Sequence, residues 1–148
     1  MEAIELHRYH EEFLAGIAKK QLLIAVNQKT GAALGYHERG WCAQQDPNVR
    51  WQRASGKAEL LSYTVTRRAY SPDFPVPLVH GLVELEEGPR LVCRIETDAP
   101  ESVQVGMALK AAFDDKGLIF RAARSRAASA ARRKTARIDP NQNKPMAA

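Results

Sequence analysis

Residues 57–123 alternate between apolar and polar positions in a series of short segments, and this period of two restricts the fold more than any other feature. Successive side chains of a β-strand point to opposite faces, so the alternation predicts strands with one buried face. Three prolines in the loop 71–77 exclude a central strand there. The predicted strands are 57–70, 78–86, 90–97, 108–114 and 117–123. Five antiparallel strands of this length predict a small closed barrel, and the OB fold is the common five-stranded form.

The first 50 residues follow a different pattern. Apolar side chains in residues 5–19 recur at helical spacing, which predicts an amphipathic helix. The short apolar run 21–26 predicts a strand, and residues 27–50 are irregular, with several glycines. We therefore expect a mainly β protein with an N-terminal helix. The expected divisions are 1–50 for the helix and an irregular ribbon, 51–121 for the barrel, and 122–148 for a tail.

Charge is distributed unevenly along the chain. The net charge is +5, but residues 121–148 hold eight Lys and Arg against one Asp, which is +7 and leaves −2 for residues 1–120. Residues 122–137 are rich in alanine and arginine and have no large apolar side chain. Such a segment has no face to bury, so we predict a disordered basic tail. A nucleic-acid interpretation of the basic charge then applies to the tail alone.

Several classes of protein are excluded or disfavoured. Two cysteines, Cys42 and Cys93, cannot form a disulfide scaffold and favour a reducing, cytoplasmic setting. No apolar stretch approaches the roughly 18 residues that span a bilayer, and the acidic N-terminus is unlike a secretory signal. Nucleotide-binding glycine loops, G-x-S-x-G and H-E-x-x-H are absent. We predict a chain that is not an enzyme alone; Cys42 with His37, or His80 as a base, are the less favoured catalytic alternatives.

Four segments, in this order, carry a resemblance to a known family. They are YHEEFLAGIAKKQLLIA, WQRASGKAELLSYTVTRRAY, VELEEGPRLVCRI and VQVGMALKAAF, and together they run from about Tyr9 to Arg121. The chain resembles domain-of-unknown-function family thirty-five, whose members combine a rubredoxin-like zinc ribbon with an OB fold and are associated with acyl-CoA metabolism. The resemblance implies an N-terminal helix, then a ribbon, then an OB barrel.

The ribbon is where the chain departs from the family. The resemblance implies two C-x-x-C pairs around zinc, at Asn27 and Thr30 and near Cys42 and Gln45, and only Cys42 is a cysteine. Neutral Asn, Thr and Gln side chains are poor zinc ligands, so we predict a degenerate ribbon without metal. Elemental analysis of the purified protein should find no zinc. Packing must hold the ribbon instead, and the candidates are Leu22, Ile24, Leu34, Tyr36 and Trp41.

The resemblance also implies a role. Members of the family accompany acyl-CoA enzymes, which are thiolase-like, of the lipid-transfer or aldolase type, or MaoC-like hydratases. The expected role is that of a non-catalytic accessory subunit that helps to form or stabilise the partner's acyl-CoA site. Large apolar side chains in the helix and ribbon are the expected partner interface. They are Leu14, Ile17, Trp41 and Trp51.

Arg67 and Arg68 end the first barrel strand and precede Tyr70 and Phe74 in the proline-rich loop. Arginine binds phosphate through two hydrogen bonds, and aromatic rings stack on bases. Coenzyme A offers both groups, and so does single-stranded nucleic acid. The plainer alternative is a solvated strand end beside a docking loop. The resemblance favours a coenzyme A site at these four residues, and the alternative function is a nucleic-acid-binding OB protein that uses its basic tail.

Overall fold

The computed structural model describes residues 11–35 and 46–123 of the chain. One short helix and seven strands account for most of these residues, so the predicted mainly β class is confirmed. The elements are α1 (Glu11–Ala18), β1 (Leu23–Asn27), β2 (Val49–Arg53), β3 (Lys57–Thr66), β4 (Leu78–Leu85), β5 (Arg90–Glu96), β6 (Ala108–Asp114) and β7 (Gly117–Ala122), with a single 3-10 turn at Pro100–Ser102. Each of the five predicted barrel strands is present.

The five strands β3 to β7 form the predicted closed barrel, in the order β3-β4-β5-β7-β6. Neighbouring strands are antiparallel except β5 and β7, which run parallel and pair from Arg94 with Ile119 to Glu96 with Arg121. The first strand ends at Thr66 rather than at the predicted residue 70. Residues 67–77 therefore form one long loop between β3 and β4, which the prolines keep out of the sheet.

Apolar side chains at every second position of the strands fill the barrel interior. A β-bulge in β3 interrupts this alternation. Leu60 is fully buried opposite Val83, and the register then shifts so that Ser62 pairs with Leu82. A bulge inserts one extra residue, so the side of the strand that faces the core changes along the chain. Val65, five residues after Leu60, consequently packs against the same core. The sequence pattern of β3 gave no sign of this shift.

Gly81 in β4 is a position that only glycine can occupy without strain. A Cβ atom built there would lie 2.6 Å from Leu60 Cδ1 and 2.9 Å from Ile95 Cγ1. The missing side chain lets two large interior side chains meet across the middle of the barrel. This close approach explains a glycine inside a strand that is otherwise rich in valine and leucine.

The N-terminal part packs a helix and a two-stranded ribbon against the barrel. β1 and β2 are antiparallel, and Ala25 pairs with Trp51. Leu22 and Ile24 are buried, as the sequence predicts, and Leu34 is half-buried. Strand β2 crosses the expected division between residues 50 and 51, and the division stays a prediction. The predicted helix start at residue 5, the candidates Tyr36, His37, Trp41 and Cys42, and residues 124–148 of the basic tail lie outside the described residues.

Hydrogen bonds close the turn at Asn27, where the family resemblance implies the first pair of zinc ligands. Asn27 Oδ1 accepts hydrogen bonds from the amides of Lys29 (2.9 Å) and Thr30 (3.3 Å). Asn27 Nδ2 donates to Asp46 Oδ2 at 3.2 Å, and Asp46 in turn accepts from Asn48. The amide side chain is thus committed to protein partners, and the residues present do not fit a zinc site. Among residues 11–35 and 46–123, no group of three or more His, Cys, Asp or Glu could hold a metal ion.

Candidate binding groove

A groove of about 570 Å³ runs over the outer face of β4 and β5. Helix α1 forms one wall, and the loop 67–77 forms the other through Tyr70 and Phe74. Most of the lining is aliphatic or aromatic. The lining residues are Phe13, Ile17, Tyr70, Phe74, His80, Leu82, Arg90, Leu91, Val92, Cys93, Arg94 and Leu118. The volume falls within the range of small-molecule sites, which are mostly apolar with a few polar groups.

This groove lies on the face that OB folds commonly use for binding. In an OB barrel the ligand lies against the second and third strands, between the loop after the first strand and the loop before the last. Here β4 and β5 are the second and third barrel strands, and the loop 67–77 follows the first. Leu118, at the start of the last strand, completes the lining. The groove on the ligand-binding face of the barrel is therefore open on one side, and α1 narrows it on the other side.

The described charges in the groove wall neutralise one another. Arg94 Nη2 donates to both carboxylate oxygens of Asp114, at 2.7 and 2.6 Å, and both side chains are only about one-fifth exposed, at 21% and 23%. Arg90 Nε donates to Glu84 Oε2 at 2.7 Å. Each guanidinium thus has a carboxylate partner. The wall presents little net charge to a ligand.

Two stacked rings close the loop end of the groove. The ring centroids of Tyr70 and Phe74 lie 6.0 Å apart, with an angle of 22° between the planes. The Phe74 ring lies under two cations, Lys116 Nζ at 4.8 Å and the Arg94 guanidinium at 5.7 Å from its centroid. Lys116 Nζ also donates to the backbone carbonyl of Asp73. These contacts hold the loop against the turn between β6 and β7.

The predicted site residues fall in different places. Tyr70 and Phe74 line the groove, whereas Arg67 and Arg68 are exposed beyond the end of β3 and are not part of the lining. The structure brings Ile17 into the same groove. Leu14 is 55% exposed on α1. Trp51 is half-buried against the core, and Trp41 lies outside the described residues.

Sequence reasoning missed the floor of the groove. Leu82 and Val92 pair across β4 and β5 on the outer face, where Val92 is 74% exposed. Arg94, paired with His80, continues that face. The sequence did contain a signal for this floor. Of these four residues, Leu82, Val92 and His80 are apolar or weakly polar, although they lie on the outer face of the barrel, which should be solvated. Alternation alone does not say which face of a closed barrel carries a ligand.

Asp114 makes a pH-dependent contribution that can be measured. Burial opposes its ionisation, but hydrogen bonds from Arg94 and from the amides of Lys116 and Gly117 outweigh burial and lower the pKa of Asp114 below its usual 3.8. The stabilisation is therefore present at neutral pH and is lost as the pH falls through the lowered pKa. We expect Asp114→Asn to destabilise the protein by about 1–3 kcal/mol at pH 7, with the deficit shrinking below about pH 4.

Chemical denaturation between pH 7 and pH 2 tests this expectation. Asp115→Asn is the matched control, since Asp115 is the exposed neighbour in the same turn. A deficit for Asp114→Asn that is equal at every pH would show that the ionised carboxylate is not the stabilising species.

Comparisons with known proteins agree with the barrel and with its N-terminal extension. The family model described as the C-terminal OB-fold domain of ChsH2 matches residues 51–114. A DUF35 domain-containing scaffold protein of Methanocaldococcus jannaschii is 31% identical over 101 residues, which is 66% of this chain and 71% of that protein. A probable enoyl-CoA hydratase alpha subunit of Thermomonospora curvata is 32% identical over 92 residues, which is 61% of this chain.

Two further observations bear on these similarities. The chain spans only 29% of the length of the Thermomonospora curvata relative. Among solved structures, the Ltp2-ChsH2(DUF35) aldolase matches with a TM-score of 0.67 and 24% identity, covering 81% of this chain and 98% of that one. At this identity the structural likeness shows the fold. No helix in the described part of the chain is long and apolar enough to cross a membrane.

Proposed function

Because this chain belongs to the DUF35 family, we propose that it is a non-catalytic accessory subunit of an acyl-CoA-processing enzyme. The names of its relatives support the class of partner, since they include an enoyl-CoA hydratase subunit and a scaffold protein. The partner we propose is a thiolase-like or MaoC-like enzyme, whose acyl-CoA site this chain helps to form or stabilise.

The observation that carries the proposal is the apolar rim around the groove. Tyr70 and Val92 line the groove and are 64% and 74% exposed, and Leu14, which is 55% exposed, lies on α1 three residues before the groove residue Ile17. Large apolar side chains that are exposed in this way mark a surface that another molecule covers. The groove lining is mostly aliphatic and aromatic, which suits the surface to binding.

Coenzyme A would extend from this rim towards the exposed arginines. In the proposal, Arg67 and Arg68 contact the phosphates, and Tyr70 and Phe74 offer stacking surface for adenine. Because the lone chain supplies one side of such a site, free coenzyme A should bind it weakly until the partner is present.

A capture experiment with a matched variant tests the proposed function. The full chain is immobilised, exposed to extract of its native cell, and the retained proteins are identified by mass spectrometry. We expect an acyl-CoA enzyme to be retained by the native chain and lost with Leu14→Asp on α1, whereas Val105→Asp, at a position 64% exposed that lies outside both α1 and the groove lining, should retain it. Retention of no acyl-CoA enzyme by the native chain contradicts the proposal.

The basic tail supports a second candidate function, which is nucleic-acid binding. The charge of +7 in residues 121–148, against −2 elsewhere, locates the attraction for polyanions. Cutting after Ala123 removes seven Lys and Arg residues. We expect the affinity for single-stranded DNA to fall at least tenfold and to lose its steep dependence on salt, as measured by fluorescence anisotropy at two salt concentrations. An affinity unchanged by truncation would place the binding on the barrel and favour the nucleic-acid function.

A further inference from the structure

The groove is apolar, neutral and about 570 Å³ in volume, and these properties restrict what it holds. Arg94 is paired with Asp114 where both side chains are only about one-fifth exposed, so a phosphate would have to compete with a carboxylate there, and Glu84 partly neutralises the more exposed Arg90. A phosphate-rich ligand such as single-stranded nucleic acid is disfavoured there for the same reason. Leu82, Val92 and Leu118 instead offer aliphatic surface, from which a chain of methylenes gains by leaving water.

We propose that the groove binds the aliphatic part of an acyl thioester. This inference rests on the proposed function, in which the ligand is an acyl-CoA. It assigns the acyl end and the coenzyme A end of that ligand to two neighbouring sites. The acyl chain lies along Leu82 and Val92, and the charged coenzyme A end lies outside, towards Arg67 and Arg68. Tyr70 and Phe74 line the loop end of the groove, which is the end nearest the charged part of the ligand in this arrangement.

His80 fits the junction between the two ends. Its side chain is half-buried on the outer face of β4, and it lines the groove beside Arg94. None of the hydrogen bonds found among the described residues involves its imidazole. An imidazole can donate one hydrogen bond in its neutral form, which suits a thioester carbonyl. His80 is therefore assigned to ligand orientation, with no chemical step.

A pair of thioesters without phosphates tests the groove separately from the coenzyme A end. The full chain is titrated calorimetrically with butanoyl and octanoyl N-acetylcysteamine, which differ by four methylenes. Full burial of a methylene is worth about fourfold in affinity. In a groove that is open on one side we expect about twofold for each methylene, so octanoyl should bind roughly 16-fold more tightly than butanoyl.

Matched valine variants locate the binding. Val92→Asp places a carboxylate on the groove floor and should abolish the preference for octanoyl, whereas Val105→Asp should keep it. Both positions are highly exposed, at 74% and 64%, so neither change disturbs the core. His80→Ala should weaken both thioesters by a similar factor, because the carbonyl is common to them.

The outcomes separate this inference from the proposed function. A preference for octanoyl that Val92→Asp removes supports the groove assignment even when no partner enzyme is captured. Equal affinity for the two thioesters overturns the assignment, and capture of an acyl-CoA enzyme would still support the accessory role. The groove would be a protein-docking surface if Val92→Asp abolished partner capture and the native chain showed no preference between the thioesters. That result also overturns the groove assignment. The groove assignment is overturned as well if single-stranded DNA binds the chain truncated after Ala123 and Val92→Asp reduces that binding.

Discussion

Phe120→Ala should lower the free energy of unfolding by about 3–5 kcal/mol, which is the usual cost of removing a buried phenylalanine. Phe120 is fully buried, and it stands opposite Ile95 in β5 and Ala111 in β6. It therefore fills the barrel at the strand that closes it. The cavity left by alanine would loosen the short parallel pairing of β5 and β7. The groove wall that carries Arg94 would loosen with it.

Phe113→Ala is the control for this prediction. Phe113 lies on the adjacent strand β6, opposite Leu118, and is half-buried against the core. The same substitution should cost clearly less there, because part of the ring is already in contact with water. Urea denaturation followed by circular dichroism measures both variants. Equal losses for the two variants would show that Phe120 does not hold the barrel closed.

The barrel could be predicted from the sequence because its determinants are local. Period-two alternation and turn residues specify each strand, and the prolines of the loop 71–77 exclude it from the sheet. The bulge after Leu60 could not be predicted, since an extra residue in one strand is defined only by its partner β4. Strand ends were less well defined for the same reason, and β3 stops four residues before the predicted end.

The groove could be predicted only in part. Tyr70 and Phe74 were identified because an aromatic pair in a stiff loop beside arginines stands out in the sequence. Leu82 and Val92 were missed, because an apolar side chain on a barrel strand is first interpreted as core. The packing of α1 beside β7, with Ile17 Cγ2 3.7 Å from a Cβ built at Gly117, is a contact between distant parts of the chain. Only the folded chain brings these residues into one groove.

The charged end of the ligand gives the second large effect. Substituting both Arg67 and Arg68 with alanine should weaken the binding of an acyl-CoA to the complex with the partner about ten- to a hundredfold. A phosphate that pairs with an arginine in a partly dry interface gains about 1.5–3 kcal/mol, and each 1.4 kcal/mol is a factor of ten. Arg67 and Arg68 begin the loop 67–77, which contacts between Phe74 and Lys116 hold in place, so less backbone ordering entropy is lost when they bind.

Calorimetry on the assembled complex, with octanoyl-CoA as the ligand, measures this effect. Arg53→Ala is the control, because Arg53 is an exposed arginine on β2 that does not line the groove. The thioesters of N-acetylcysteamine have no phosphates, so their affinity for the double variant should stay unchanged, which separates loss of the charged end from loss of the fold. Normal octanoyl-CoA affinity in the complex of the double variant would mean that the phosphates bind elsewhere. The loop 67–77 would then be a docking surface for the partner, because the exposed ring of Tyr70 would have no other ligand to cover it.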